Sequence, residues 1–170
     1  MDIFVEQIIK RKFGLLDYAI VGASLLGGAV LVLLSVLFVP YFSAFVLIGV
    51  CVGAYYVITS RSVEFEYSIT NGDITVDKII FRRKRKRILS VDAHEVDAMG
   101  KYNPEQHRGK PYAGRHICSV HDSGEGSWYF SAHHPKKGYV LVVFDPEEKV
   151  LNAIRPFLPR QVMQSAFGGK

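Results

Sequence analysis

The most informative absence in this 170-residue sequence is the lack of charge between residues 19 and 60. This stretch contains no Asp, Glu, Lys, Arg or His. As a continuous helix it would extend roughly 63 Å, about twice the thickness of a bilayer core. A helical hairpin inside a soluble protein would need polar outer faces, and this stretch offers none. A proton relay, an ion path or a transport site would normally need an ionisable group, so the stretch is interpreted as an anchor.

Cysteine is scarce, and several catalytic motifs are missing. The two cysteines, Cys51 and Cys118, lie far apart and form no C-x-x-C pair, so a disulfide framework is not expected. This fits a reducing compartment for the C-terminal part of the chain. Neither G-x-x-x-x-G-K-[ST] nor G-x-G-x-x-G occurs, which leaves a nucleotide-phosphate cradle without support. No cofactor is predicted.

Pro40 and Tyr41 divide the uncharged stretch into two predicted membrane spans, residues 19–39 and 42–58. A cleaved signal peptide is a less favoured alternative, because it has one short apolar core instead of two. Basic residues flank the outer ends of both spans, and the connection between the spans has no charge. The positive-inside rule therefore predicts a two-pass protein of the cell membrane, with both termini in the cytoplasm.

Small residues recur at helical spacing in the two spans and form the predicted packing surface: Ala19, Ala23, Gly27, Gly49 and Gly53. Such residues let membrane helices approach closely. The favoured interpretation is packing of the hairpin against itself, because a short turn already forces the spans together. Dimerisation through the G-x-x-x-G pair of Gly49 and Gly53 is the alternative, so a homo-oligomer stays open.

The N-terminal segment, residues 1–18, precedes the first span and is predicted to lie in the cytoplasm. Its first twelve letters, MDIFVEQIIKRK, separate apolar from polar side chains. This separation predicts a short amphipathic helix at the membrane surface. The alternative is that the segment is the frayed start of the first span.

From Val63 the pattern changes to short strands, and residues 61–160 are predicted to form a cytoplasmic domain with a tail over 161–170. The segments VEFEYSIT and DITVDKII alternate in hydrophobicity, as strands do. Asn71-Gly72 between them is typical of a type I′ hairpin turn. A polar loop over residues 100–114 interrupts the later strands, and loops of this length tend to be functional or mobile.

The chain is predicted to end in a helix that caps the strands. Asp145 is a suitable N-cap, Pro146 suits the first helical position, and Pro156 is expected to end or kink the helix near Arg155. About seven short antiparallel strands followed by one amphipathic helix predict a mainly-β domain. Its expected form is a small barrel or strongly bent antiparallel sheet.

This organisation resembles that of bacterial pleckstrin-homology-like domains that follow paired transmembrane helices. The stretch EYSITNGDITVDKIIFRRKRKRILSVD is similar to the opening strands of such domains. The whole chain resembles a family of small two-pass bacterial membrane proteins of unknown function. The stretches that carry the resemblance are MDIFVEQ, YSITNGDITVDKI, RKRKRILSVD and IRPFLPRQV. The resemblance implies the topology and a pleckstrin-homology-like fold, and it brings no catalytic residues.

Two groups of polar residues are candidates for chemistry. His116, Cys118 and His121 lie close together, but strand alternation points His121 away from the other two. A zinc site needs about four converging ligands. A second group, over residues 92–95, pairs two carboxylates with a histidine and has no nucleophile signature. Neither a metal site nor catalysis is predicted.

Six consecutive cations form the candidate contact site: Arg82, Arg83, Lys84, Arg85, Lys86 and Arg87. Without them the chain's 15 basic and 16 acidic groups nearly balance, so the basicity is local and a nucleic-acid partner is not expected. Cations close to a membrane anchor favour contact with anionic lipid. An acidic macromolecular partner is one alternative. Plain solvation of a hairpin tip, with the charges blocking edge pairing, is the other.

These features together predict a non-enzymatic, membrane-anchored binding or scaffolding module that presents its domain at the cytoplasmic face. Its partners would be anionic lipid headgroups or an unidentified membrane or cytoplasmic protein. The alternative is a small accessory or regulatory subunit of a larger membrane complex, held through its transmembrane helices.

Overall fold

A computed structural model describes residues 3–81 and 83–168 of the chain. The described residues form two compact units. One unit is helical and comprises Phe13–Val63. The other is mainly β, and it combines the residues up to Lys12 with those from Glu64 onward.

The helical unit consists of α1 (Leu15–Phe38), a short 3₁₀ turn at Pro40–Phe42, and α2 (Ser43–Arg61). Both helices are long and apolar enough to cross a membrane, judged by length and composition. α1 begins before the predicted first span and α2 ends after the predicted second span, because each helix includes a charged residue in its outer turn. Asp17, in the first turn of α1, accepts a hydrogen bond from the Gly14 amide at 3.1 Å. Its carboxylate also lies 3.9 Å from the guanidinium of Arg61, in the last turn of α2.

The first sheet contains four strands in the order β1-β2-β3-β4. Their bounds are β1 (Phe4–Lys10), β2 (Val63–Thr70), β3 (Asp73–Ile80) and β4 (Lys84–Asp92). The turn between β2 and β3 has φ of 49° at Asn71 and 98° at Gly72, which confirms the predicted hairpin. In β4, Ile88 has no opposite residue, because the register with β3 shifts between Val76 and Asp77.

The amphipathic helix predicted for the first twelve residues is wrong, because this segment forms strand β1 within the described residues. β1 is antiparallel to β2 along its whole length, from Phe4 opposite Thr70 to Lys10 opposite Glu64. Gln7 is buried while Phe4 and Ile8 are exposed, which is the period-two pattern of a strand. The adjacent pair Ile8-Ile9 imitates a helical face in the sequence.

The second sheet has the order β5-β7-β8-β6. Its strands are β5 (Val96–Lys101), β6 (Gly114–Cys118), β7 (Trp128–His134) and β8 (Gly138–Phe144). The described residues thus contain eight strands instead of about seven, since β1 takes the place of the predicted N-terminal helix. The prediction of purely antiparallel pairing is also wrong at one place, because β6 pairs with β8 in parallel.

Three helices complete the β unit: α3 (Pro104–His107), α4 (Glu148–Ile154) and α5 (Arg160–Phe167). The N-cap position of α4 is Glu147, which forms no side-chain capping hydrogen bond, and not Asp145, whose carboxylate accepts from the Val120 amide at 2.6 Å. The predicted stop near Pro156 is confirmed, because α4 ends at Ile154 and a 3₁₀ turn follows.

The segment predicted as a tail, residues 161–170, is helical as far as Phe167. The Phe167 ring stacks on Trp128 of β7 with the ring centroids 5.4 Å apart. Residues 169 and 170 lie outside the described part of the chain.

The core of the β unit is built from apolar side chains of both sheets and of α4. Its largest fully buried members are Tyr67, Ile69, Ile74, Leu89, Phe130, Leu141, Phe144 and Ile154. β1 is joined to this core through Gln7, whose side-chain amide donates to the Asp145 carbonyl at 2.9 Å and accepts from the Glu147 amide at 2.8 Å. The first strand and the start of α4 therefore stabilise each other across most of the sequence.

Candidate functional site

The basic block lies on the β3–β4 hairpin, at the edge of the first sheet. Arg82 lies outside the described residues. β4 begins at Lys84, and the register places Lys86 opposite Lys78 and Arg87 opposite Asp77. Alternation along β4 therefore separates the lysines from the arginines. The two sets of side chains have different surroundings.

Arg85 and Arg87 of β4 are paired with two buried carboxylates, one on β2 and one on the adjacent strand β3. Arg85 Nη2 donates to Glu66 Oε2, and Arg87 Nε lies 3.3 Å from Asp77 Oδ1. The acidic side chains are only 4% and 6% exposed, whereas the arginines are 58% and 65% exposed. Burial raises the pKa of Glu66, and the charge of Arg85 opposes that rise. These two arginines compensate internal charges and add little net charge to the surface.

The other described cations of the block, Arg83, Lys84 and Lys86, are exposed. Over residues 3–81 and 83–168, none of their side chains forms an ion pair. Within the described part of the basic block, the uncompensated positive charge is therefore carried by these three residues. The five described members of the predicted contact set are thereby divided into two that are paired and three that are not.

Lys10 and Lys12 lie at the same end of the sheet as the hairpin tip. β1 ends where β2 begins, as the pairing of Lys10 with Glu64 shows. β2 and β3 are joined by a two-residue turn at the opposite end, so the end of β3 and the start of β4 return to the Lys10 end. We call the exposed cations at this end the cationic end: Lys10, Lys12, Arg83, Lys84 and Lys86.

Sequence reasoning misses the contribution of Lys10 and Lys12 to this surface, because it places both in a helix that flanks the first span. The sequence carries no clear strand signal here, because the apolar residues fall in the adjacent pairs Phe4-Val5 and Ile8-Ile9 and only burial in the fold alternates.

The predicted packing surface of the helical unit is only partly a contact surface. A Cβ placed on Gly27, Gly49 or Gly53 would meet no atom within 4 Å. Ala19 and Ala23 are exposed. The close approach between α1 and α2 occurs at Gly28, where a Cβ would lie 2.6 Å from Val50 Cγ1. Packing of the hairpin against itself therefore uses the glycine next to the predicted one.

The residues considered for chemistry do not converge. The described residues contain no group of three or more His, Cys, Asp or Glu side chains suited to a metal. Cys118 is buried, and burial raises the pKa of its thiol to about 12, so it is a poor nucleophile. Asp92 caps a 3₁₀ turn by accepting from the His94 amide at 2.9 Å, and this hydrogen bond lowers the pKa of Asp92.

The loop predicted over residues 100–114 is ordered around a buried histidine. His107, at the end of α3, is 1% exposed, and its Nδ1 lies 2.8 Å from the Tyr112 hydroxyl. Its ring stacks on Tyr102, with centroids 5.5 Å apart, and meets Tyr129 edge-on at 4.2 Å. Burial, followed by the charges of nearby cations, lowers the pKa of His107. The ring acts as an anchor for the loop.

Acidification is expected to weaken this anchor. Because the pKa of His107 is lower in the folded chain than in the unfolded chain, the unfolded chain binds the proton first. Stability is then lost as pH falls below about 6.5, until the folded pKa is passed. Thermal unfolding of the full chain in detergent should show a lower midpoint at pH 5 than at pH 7. His107→Gln should flatten that dependence and His121→Gln, at an exposed position, should not.

His116 also has a pKa lowered by burial, so some pH dependence should remain in the His107→Gln variant. An unchanged pH dependence in that variant would show that the protonation of His107 is not coupled to unfolding.

A family model described as a bacterial PH-like domain (DUF6106) matches residues 1–164 of the chain. The match includes β1, both apolar helices, and both sheets. No curated protein and no solved structure matches the chain.

Proposed function

The chain belongs to the family of bacterial PH-like domains (DUF6106), and on this basis we propose that it is a membrane-anchored, non-enzymatic binding or scaffolding module. PH-like domains are generally non-catalytic. In this proposal α1 and α2 cross the cell membrane as a hairpin. Both termini and the β unit lie in the cytoplasm, where the domain engages the lipid leaflet or an unidentified protein.

The pairing of β1 with β2 carries this proposal. β1 precedes the two apolar helices in the chain, and β2 follows them, yet seven consecutive residue pairs join the two strands. Hydrogen-bonded strands lie on the same side of a membrane, because paired strands are only about 5 Å apart whereas the hydrocarbon core is about 30 Å thick. Helices that join two such strands and cross the membrane must cross it an even number of times, and two crossings match the two apolar helices of sufficient length.

The same pairing argues against a cleaved signal peptide. Cleavage after α1 would remove β1 from the mature chain, together with Gln7 and its two hydrogen bonds to the start of α4. The β unit would then expose the edge of β2. The N-terminal residues are therefore better understood as part of the folded protein.

Site-directed labelling tests this topology. In a chain with Cys51→Ser and Cys118→Ala, we expect Tyr41→Cys to react with a membrane-impermeant maleimide added to intact spheroplasts. Tyr41 lies in the turn between the helices and is 93% exposed. Ser123→Cys, in an exposed turn of the β unit, should react only after permeabilisation.

Two controls complete the labelling experiment. Alkaline carbonate should leave the protein in the membrane fraction, as expected for spanning helices. Release by carbonate, or labelling of both cysteines from the same side, would contradict the two-span hairpin.

The second candidate function, a subunit of a larger membrane complex, is favoured by the open face of α2. A Cβ added to Gly49 or Gly53 would meet no atom within 4 Å inside the helical unit. Glycines at this spacing suit close helix packing with another protein or with a second copy. Purification from native membranes in mild detergent, followed by mass measurement, would distinguish a complex from a lone module.

A further inference from the structure

We infer that the cationic end binds the anionic surface of the bilayer, while Arg85 and Arg87 join β4 to carboxylates of β2 and β3. This inference rests on the proposed membrane anchor and names the partner of the β unit's basic surface. It differs from contact through the whole basic block, because it excludes two members of the block and adds Lys10 and Lys12.

The exclusion of Arg85 and Arg87 follows from their partners. The charge of each arginine is already compensated by a carboxylate that is almost completely buried, and a shift towards lipid phosphate would weaken that pair. A buried charge without its partner is strongly disfavoured. Lipid phosphates would thus compete with an existing charge-assisted hydrogen bond, and little attraction would be gained.

The inclusion of Lys10 and Lys12 follows from the sheet register. Residues about 70 positions apart in sequence lie at the same end of the sheet, because β1 pairs antiparallel with β2 and β3 pairs antiparallel with β4. Lys10, Lys12, Arg83, Lys84 and Lys86 are all exposed there. Each cation near an anionic leaflet strengthens association by about fivefold, provided that it lies within the screening length of roughly 8 Å.

Chain connectivity favours the bilayer over other anionic partners. The chain leaves the sheet for α1 after Lys12, and it returns from α2 through Ser62 alone before β2 begins at Val63. Both connections therefore start from the end that carries the exposed cations. A tethered surface meets a leaflet at a high effective concentration, so even a weak electrostatic contact would be populated.

Hydrogen exchange of the full chain in nanodiscs tests this inference. We compare discs of phosphatidylcholine alone with discs that also contain phosphatidylglycerol. Amides of residues 83–90 should exchange several-fold more slowly in the anionic discs, and high salt should remove this difference. A variant with four Lys→Gln changes, at positions 10, 12, 84 and 86, should show no difference between the discs.

A matched variant controls for net charge. It carries Lys→Gln at positions 101, 110, 136 and 149, which are exposed elsewhere on the β unit, and it should retain the slower exchange in anionic discs. If both variants lose the slower exchange to the same extent, the effect depends on net charge alone and the inference is wrong. Slower exchange caused by added duplex DNA in neutral discs, with no effect of phosphatidylglycerol, would assign the surface to nucleic acid instead.

The experiment also separates this inference from the proposed anchor. If α1 and α2 are strongly protected in both discs while residues 83–90 respond to neither lipid, the anchor stands and the lipid contact is wrong. If the protein does not enter the discs and its helices exchange freely, the proposed anchor itself fails.

Discussion

A fragment that begins at residue 61 is expected not to form a stable β unit, although it contains seven of the eight described strands. The missing strand β1 covers the edge of β2, and its Gln7 satisfies the Asp145 carbonyl and the Glu147 amide. Losing the burial of its inward side chains and these hydrogen bonds should cost on the order of 5 kcal/mol. This approaches the whole stability of a typical small domain.

Complementation by a peptide gives the measurement for this prediction. Fragment 61–170 alone should show no cooperative thermal transition by circular dichroism. Addition of a peptide with the sequence of residues 1–12 should restore one, and the same peptide with Ile9→Lys should be much less effective. A fragment that unfolds cooperatively at the temperature of the full chain, without any peptide, would show that β1 is dispensable.

Replacement of Arg85 by Gln is expected to destabilise the β unit at neutral pH by about 1–2 kcal/mol. Glu66 is buried and would lose its ionic partner, which normally costs more, but Arg85 is half exposed and solvent screens part of the interaction. A Lys84→Gln change one position away removes the same charge without a buried partner. It should therefore leave the unfolding free energy almost unchanged.

The pH dependence of this effect identifies its cause. Because burial raises the pKa of Glu66, the folded chain holds the proton of Glu66 more tightly than the unfolded chain does. The destabilisation by Arg85→Gln should thus grow as pH rises above the ordinary carboxyl range, and it should shrink on acidification. Glu66→Gln combined with Arg85→Gln should recover most of the lost stability. Denaturant unfolding that shows a pH-independent loss, or no recovery in the double variant, would contradict an ionic role for the pair.

Local signals in the sequence were sufficient for much of the fold. The turn at Asn71-Gly72 and the helix stop before Pro156 depend on backbone preferences of one or two residues, and both are confirmed. The mainly-β domain with a C-terminal helix follows from hydrophobic periodicity and is also confirmed. The contact site could be predicted less completely from the sequence. Strand alternation divides the six cations of residues 82–87 into two faces, but it does not show which face lies next to carboxylates.

The sequence by itself determined that two helices long and apolar enough for a membrane precede most of a β domain, and that the excess positive charge lies on one hairpin. Both properties depend only on which residues are neighbours along the chain. The tertiary structure decided that residues 4–10 complete the first sheet. It also decided that Glu66 and Asp77 form ion pairs with Arg85 and Arg87. It also placed Lys10 and Lys12 at the same end of the sheet as the hairpin tip. The reason is that strand pairing and charge compensation join groups distant in sequence, so only the folded chain specifies which cations remain exposed and unpaired.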